Sequence, residues 1–295
     1  MTSSLSGTVL VTGACGFVGN HIARALKQRS LRVVAQVRRN NCALSTDFNT
    51  LEGDLCDPET LADCPPDLVG IIHAAANSGR RGESAKRLTR DNVLATRNVL
   101  AFAERHNARV VYLSSLSIHG TVSDRVLDGS TQFRQPGNYG RTKHAAEMML
   151  SRNESVCSVS LRLPGILGVG ANEHWIGSLV ACAMKGDPMT FFNPDAPFNN
   201  VVHVSDLAKF TYRLLQMQDW PKADAFPLAS THPMSVLETV RLIRDVLHSK
   251  SIVAPMGDRT PHFIIDDSHA RIHYGYVSLS TQESIQRFAL EMCGQ

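Results

Sequence analysis

Tyr139 and Lys143 stand four residues apart in Asn138-Tyr139-Gly140-Arg141-Thr142-Lys143, so on a helix they share one face. A free phenol titrates at about 10 and is a poor base near neutrality, but a neighbouring ammonium favours the phenolate and lowers that value. Such a tyrosine can give or take the proton on a substrate oxygen. Ser115, 24 residues upstream of Tyr139, closes the apolar run that starts at Arg109. From there its hydroxyl would bond the same oxygen and hold it in line. A Tyr-x-x-x-Lys pair alone arises often by chance. Its weight comes from the serine-bearing strand end and from the elements around it.

The strongest of those elements is Val9-Leu10-Val11-Thr12-Gly13-Ala14-Cys15-Gly16-Phe17-Val18-Gly19. A short apolar strand runs into three glycines, then into an apolar-faced helix from Phe17 to about Gln28. Gly13 permits the turn, Gly16 allows close approach of a bound group, and Gly19 lets the helix pack on the sheet. The helix start, Phe17 and Val18 included, offers unpaired N–H groups and a positive dipole end to a pyrophosphate. A hydride carried by a nicotinamide dinucleotide is therefore the expected partner of the Tyr139 proton, with Lys143 also bonding the nicotinamide ribose. The second strand, from Leu31, ends at Val37-Arg38-Arg39-Asn40, with no acid before Asp47. A carboxylate at that place reads an unsubstituted ribose, whereas an arginine accepts a 2′-phosphate, so NADP is preferred over NAD. Val69 to Ala76 reads as a buried strand whose end, Ala74, Ala75 and Ala76, leaves room for the cofactor.

Strand and helix patterns alternate from residue 8 to 163, which implies a doubly wound, Rossmann-type parallel sheet of the α/β class. Further helices are expected from about Glu83 to His106, from Glu173 to Met184, from Ser205 to Gln218, and from the Ser235/Glu238 capping-box spacing to Leu247. Residues 1–165, with 201–232 returning to them, form the expected cofactor-binding domain; 166–200 and 233–295 form a small C-terminal substrate-binding lobe. Arg80, Arg81, Lys86, Arg87 and Arg90 read as a solvated face, because no aromatic residues interleave with them.

The chain's 43% hydrophobic and 19% charged residues are ordinary for a globular protein, and its net charge of +3 gives no reason to expect nucleic-acid or membrane partners. No apolar run approaches a membrane span, and the polar start does not read as a signal peptide. The seven cysteines show no Cys-x-x-Cys pair and read as reduced thiols of a cytoplasmic protein. No metal is expected: His203, His262, His269 and His273 lack ligand spacing.

These residues carry a family resemblance over nearly the whole chain. Thr12-Gly13-x-x-Gly16-Phe17-x-Gly19, Gly53-Asp54-Leu55, His73-Ala74-Ala75-Ala76, Asn92-Val93-x-x-Thr96, Ser114-Ser115 through Gly120, Tyr139-x-x-x-Lys143 and Arg162-x-Pro164 resemble the extended short-chain dehydrogenases/reductases, the NAD-dependent epimerase/dehydratase family. Val202-His203-Val204-x-Asp206 and Asp267-Ser268-His269-Ala270 match as well. The resemblance implies that Asp54 and Leu55 flank the adenine, that Asn92 lies near the cofactor, and that Leu163 to Ile166, with Pro164, border the nicotinamide. It also implies a homodimer through the two long helices. Where epimerases carry a diphosphate-binding arginine this chain has Asn199, and Arg259 lies near a second such position, so Ser115, Asn199 and Arg259 are the candidate substrate residues. The extra acid of sugar dehydratases is missing after Ser115. The expected activity is thus hydride transfer to or from a carbonyl or hydroxyl carbon of a small carbonyl compound or sugar nucleotide, as an NADP-linked reductase. The alternatives are a nucleotide-sugar 4-epimerase with tightly bound NAD and a non-catalytic, cofactor-sensing regulator.

Overall fold

The computed structural model describes residues 7–39, 47–79, 82–171, 174–259 and 262–294. Arg80, Arg81, Asn40, Cys42 and Glu173, all named above or among the seven cysteines, lie outside them. The chain divides into two compact units: Met1–Gly120, Phe133–Arg162 and Leu207–Phe226 make the first, and Thr121–Gln132, Leu163–Asp206 and Pro227–Gln295 the second.

The first unit is built on a seven-stranded sheet. Its strands are β1 (Thr8–Thr12), β2 (Arg32–Val37), β3 (Asn49–Glu52), β4 (Leu68–His73), β5 (Arg109–Ser115), β6 (Ser158–Leu163) and β7 (Ala223–Pro227), in the spatial order β7-β6-β5-β4-β1-β2-β3. β1 pairs in parallel with β2 and β4, β2 with β3, and β4 with β5. All five residues of β1 are buried, as a central strand covered on both faces requires. The covering helices are α1 (Phe17–Gln28), which buries Ile22, Ala23 and Leu26, and α3 (Ala95–Arg105), which buries Val99, Leu100 and Phe102. Leu10, Ile71, Phe102, Tyr112 and Leu150 belong to one apolar cluster that joins sheet and helices.

The long helix expected from Glu83 to His106 is interrupted. A short α2 (Ala85–Thr89) passes through a π-turn at Arg90–Leu94 before α3 begins. The turn carries two successive buried polar residues, Asp91 and Asn92. α4 (Asn138–Arg152) follows β5 after a 3₁₀ turn at Leu116–His119 and an intervening loop.

The second unit contains α5 (Trp175–Lys185), α7 (Val236–Val246), α8 (Ser268–Tyr274) and α9 (Thr281–Met292), while α6 (Val204–Gln216) begins in it and runs into the first. The capping box expected at Ser235 and Glu238 is present, and a second one at Ser280 and Glu283 opens α9. Short strand pairs join distant stretches: Gly165–Leu167 with Val201–His203, Met189–Phe191 with Val253–Pro255, and Val126–Leu127 with Ile264–Ile265. No helix among the described residues is long and apolar enough to cross a membrane.

The turn after β1 depends on close packing. A Cβ at Gly19 would fall on the carbonyl oxygen of Gly13, with backbone on both sides of the contact. Gly19→Ala is expected to cost about 1–3 kcal/mol in urea unfolding, as overpacked sites do. Gly16→Ala, whose Cβ would lie 3.1 Å from the same oxygen, should cost less. Equal, unchanged midpoints for both variants would show that the turn does not need this packing.

Candidate functional site

Gly13 adopts φ 66°, and a Cβ there would lie 2.7 Å from the Ala75 Cα. Only glycine combines that conformation with that approach. The turn is braced by Gln36 from β2. Its Oε1 accepts from the Gly13 N–H at 3.3 Å and its Nε2 donates to the Gly53 carbonyl at 2.8 Å. The N-cap of α1, Gly16, has no side-chain cap. A cleft of about 240 Å³ opens above this turn. Gly13, Gly16, Arg38, Asp54, Leu55 and Ala74–Ala76 line it, all expected from the sequence; Gln36, Asp91 and Ala95 line it too and were not. Gly19 lies buried behind the turn, and Phe17 and Val18 open α1 beside it.

Asp54 at the cleft is held as a carboxylate. Partial burial pushes its pKa up, but hydrogen bonding from Cys56 and the charges of Arg38 and Arg90 outweigh this and bring it below the usual range. Cys15, expected as a reduced thiol, is instead disulfide-bonded, whereas Cys56, Cys64, Cys157, Cys182 and Cys293 are free.

Behind the alanine wall runs a buried hydrogen-bond chain that the sequence reading missed. His73 Nδ1 meets Thr12 Oγ1 at 2.7 Å and its Nε2 meets Thr96 Oγ1 at 3.0 Å. Thr96 donates its proton to the Asn92 carbonyl at 2.7 Å, so the network assigns the ring proton to Nε2 and makes Nδ1 the acceptor. Burial, helped by the charge of Lys143, lowers the His73 pKa to about 3, so it remains neutral. Asn92 itself accepts from the Asn77 N–H at 2.7 Å and donates to the Asn77 carbonyl and to Thr142 Oγ1, both at 2.9 Å. Its amide is thus committed to positioning the alanine strand end and α4 rather than to the cleft.

The Ser115, Tyr139 and Lys143 set all lies in the first unit. Ser115 Oγ accepts from the Ser117 N–H at 3.2 Å and from the Ser117 hydroxyl at 2.9 Å, which leaves its own proton for an outside acceptor. Gly140, directly after Tyr139, packs against that same turn: a Cβ there would strike the Ser117 carbonyl oxygen. The missing side chain is what lets the start of α4 dock on the serine turn. Lys143 is 2% exposed. Its Nζ donates to the Leu113 carbonyl at 2.6 Å and lies 4.6 Å from the Tyr112 ring centroid and 5.8 Å from that of Tyr139. Burial lowers its pKa to about 7, opposed by the charge of Glu147 one turn along. Glu147 is paired in turn with Arg162 of β6 at 3.0 Å, anchoring α4 to the sheet.

Pro164, Asn199 and Arg259 fall in the second unit. Asn199 is buried, 4% exposed. Its Nδ2 donates to the Ile265 carbonyl at 2.8 Å and its Oδ1 accepts from the Ile265 N–H at 2.9 Å. With both polar atoms engaged, it is a cross-brace between two segments. Arg259 lies with its guanidinium 3.5 Å from the Phe192 ring centroid. Phe192 lines a cleft of about 520 Å³ with Trp175, Phe191, Phe198, Phe263 and Asn200, whose buried Oδ1 has no hydrogen-bond partner. Ser178, Thr190, Asn193 and His262 also line it, so the aromatic walls carry polar groups suited to a flat ligand with polar substituents.

A glycine turn feeding an uncapped helix in a sheet of this order, with a Tyr-x-x-x-Lys helix seated on a serine turn, defines a Rossmann-fold protein of the dinucleotide-binding kind. The chain belongs to the NAD dependent epimerase/dehydratase family, whose pattern matches residues 9–228. It is 24% identical to dTDP-4-dehydro-6-deoxy-D-allose reductase of Streptomyces bikiniensis over 81% of each chain. It is 32% identical to UDP-glucuronate 4-epimerase 1 of Arabidopsis thaliana, over 91% of this chain and 72% of that one. Its fold superposes on UDP-glucose 4-epimerase of Thermus thermophilus, solved as a complex with NAD, with a TM-score of 0.79 at 20% identity over 97% and 99% of the two chains.

Two outcomes are expected at this site. Gly140→Ala should displace Tyr139 and lower turnover roughly 100-fold, the usual cost of an ångström of misplacement; unchanged turnover would show that the docking contact does not matter. Lys143 binds its proton in the unfolded chain up to pH 10.5 but releases it in the fold at about 7. Between pH 7 and 9 the unfolded state therefore holds more protons, and stability should rise with pH by up to about 1.4 kcal/mol per unit. The thiols of half-buried Cys56 and buried Cys64, both raised from 9.0 to about 11 by burial, act in the opposite sense as pH passes 9. Lys143→Met should flatten the rise in urea titrations.

Proposed function

We propose that the protein is an NADP-linked reductase acting on a carbonyl of a sugar nucleotide or similar small molecule. The observation that carries this reading is the docking of α4, through Gly140, onto the turn that leaves the Ser115 proton free. It supports a site in which two donors, Ser115 and Tyr139, converge on one substrate oxygen. The first-unit cleft suits a dinucleotide: the turn is bare where a Cβ would block approach, and Arg38 lines it at the end of β2. Gly13, Gly16 and the start of α1 would hold the pyrophosphate, Asp54 and Leu55 the adenosine, and Ala74–Ala76 would leave space along the strand end.

When bound, the nicotinamide supplies or takes the hydride. Tyr139 gives the substrate oxygen a proton as the carbonyl becomes an alcohol, and takes it back in the reverse direction. Ser115 donates a hydrogen bond to the same oxygen, stabilising the charge that develops there. Lys143, in its ammonium form, favours the phenolate of Tyr139 and so helps the proton leave. Taken by itself, the aromatic cleft of the second unit, with Arg259 at Phe192, suits a flat anionic ligand such as a nucleotide.

The same constellation also serves a 4-epimerase, in which oxidation and reduction alternate on one retained cofactor; the 32% identity to a UDP-glucuronate 4-epimerase favours that reading. Mass spectrometry of the purified protein separates the two: retained NAD indicates the epimerase, an empty or exchangeable NADP site the reductase. Tyr139→Phe should lower turnover by a factor of about 10² to 10⁴, the range of general acid–base catalysis. Full turnover in that variant would remove Tyr139 from the chemistry. Wild-type protein with tight NADP binding and no hydride transfer to any carbonyl would point to a cofactor sensor.

A further inference from the structure

The arginines at the start of the interrupted helix read from sequence as a solvated face, but the structure gathers two of them with Arg38 around one buried carboxylate. The Asp91 side chain is 1% exposed and lines the first-unit cleft. Its Oδ2 accepts from Asn77 Nδ2 at 2.9 Å, and its Oδ1 lies 3.2 Å from Arg90 Nη1. Arg90 also reaches Asp54 Oδ2 at 3.3 Å, so this guanidinium is shared between both acids. Arg38 Nη2 and Arg87 Nε point at the same Asp91 Oδ2 from 3.7 and 3.6 Å. Those separations exceed a hydrogen bond, so both forks keep their N–H donors uncommitted to Asp91. Both side chains are more than half exposed, at 54% and 62%, where an ion pair adds little to stability.

The charge balance of the cluster is uneven. Three guanidiniums face two carboxylates, and because Arg90 neutralises both acids in part, the surplus positive charge lies on Arg38 and Arg87. Arg38 and Asp91 line the cleft, and Arg87, held 3.6 Å from the same carboxylate oxygen, brings a second exposed guanidinium near them; such a pair matches a phosphomonoester, which carries close to two negative charges and three acceptor oxygens. Arg38 comes from the end of β2 and Arg87 from α2, so neither sequence neighbourhood alone displays the pair.

We infer that Arg87 is the second half of a two-arginine clamp for the adenosine 2′-phosphate, with Asp91 the buried positioning residue that draws Arg38 and Arg87 together. The inference rests on the NADP reading above and adds a specificity-determining residue to it. It also gives Arg87 a different task from Arg90: the first binds the added phosphate, the second balances the acids.

Equilibrium binding tests this without any turnover. Affinities for NADP, NAD, 2′,5′-ADP and 5′-ADP are measured by titration calorimetry for the unaltered protein and for Arg87→Gln, Arg87→Lys, Arg38→Gln and the Arg38→Gln/Arg87→Gln double variant, with thermal unfolding to confirm folding. Arg87→Gln is expected to weaken NADP and 2′,5′-ADP about tenfold while NAD and 5′-ADP stay within about twofold. Arg87→Lys, which keeps the charge but loses the fork, should fall between. The double variant should lose less than the sum of the single effects, since one arginine alone holds the phosphate poorly. If the unaltered protein prefers NADP and Arg38→Gln removes the preference while Arg87→Gln does not, the clamp is wrong and the NADP reading stands. If Arg87→Gln weakens NAD and NADP equally, Arg87 supports the cleft and does not read the phosphate, and the inference fails. If the unaltered protein binds NAD as well as or better than NADP, the cofactor reading itself falls, and the clamp with it.

Discussion

The contact between Gly140 and the Ser117 carbonyl is the constraint on which the chemistry depends. A helix can hold a tyrosine and a lysine on one face by periodicity alone, but periodicity does not place that face against a serine from another strand. Here the placement comes from backbone meeting backbone, at the one helical position next to Tyr139 that has no side chain. The rest of α4 is fixed from the other side, by Lys143 on the Leu113 carbonyl and Glu147 on Arg162. All three anchors lie on β5, β6 or the turn that follows β5, so the sheet sets the site's geometry and the helix carries it. The burial that makes this rigid also removes Lys143 from water, which is why its proton is held so weakly.

A second layer of order lies beneath the cleft. The run from Thr12 through His73 and Thr96 to Asn92, Asn77 and Thr142 links the glycine turn to α4 through neutral groups with satisfied donors. Buried networks of this kind are costly when incomplete and stiff when complete. Neither His73 nor Asn92 reaches the cleft surface, yet both fix where the surface residues stand.

Much of this was legible in the sequence, and the reasons for success and failure are physical. The glycine turn, the parallel strands and the Tyr139/Lys143 face announce themselves because local periods of two and 3.6 residues encode them directly. Arg38 and Ala74–Ala76 line the cleft as strand-end residues in such a sheet are expected to, and Asp54 was legible only through the family resemblance. What stayed hidden was long-range. Asn199 was read by position as a substrate residue, and only its pairing with Ile265, 66 residues later, shows both amide atoms to be engaged. Arg87 and Arg90 read as a solvated face because no aromatic residues interleave with them, and that pattern says nothing of the buried acid beside them, Asp91. An i,i+4 pairing of Arg87 with Asp91 was visible, but the burial of that acid was not. The second unit was least legible, since its strand pairs are two or three residues long and join segments too distant for any periodic signal.

The π-turn at Arg90–Leu94 carries a consequence for how this chain can change. It accommodates Asp91 and Asn92 facing inward while α3, beginning at Ala95, still lays Val99 and Phe102 on the sheet. Removing a single residue from the turn would allow a continuous helix, but each residue of an α-helix rotates its neighbours by about 100°. Either the two polar residues would swing away from Asn77 and Thr142, or the apolar stripe of α3 would leave the core. The segment is thus intolerant of length change although it tolerates charge on its outer face, and insertions or deletions between β4 and β5 must fall outside these five positions.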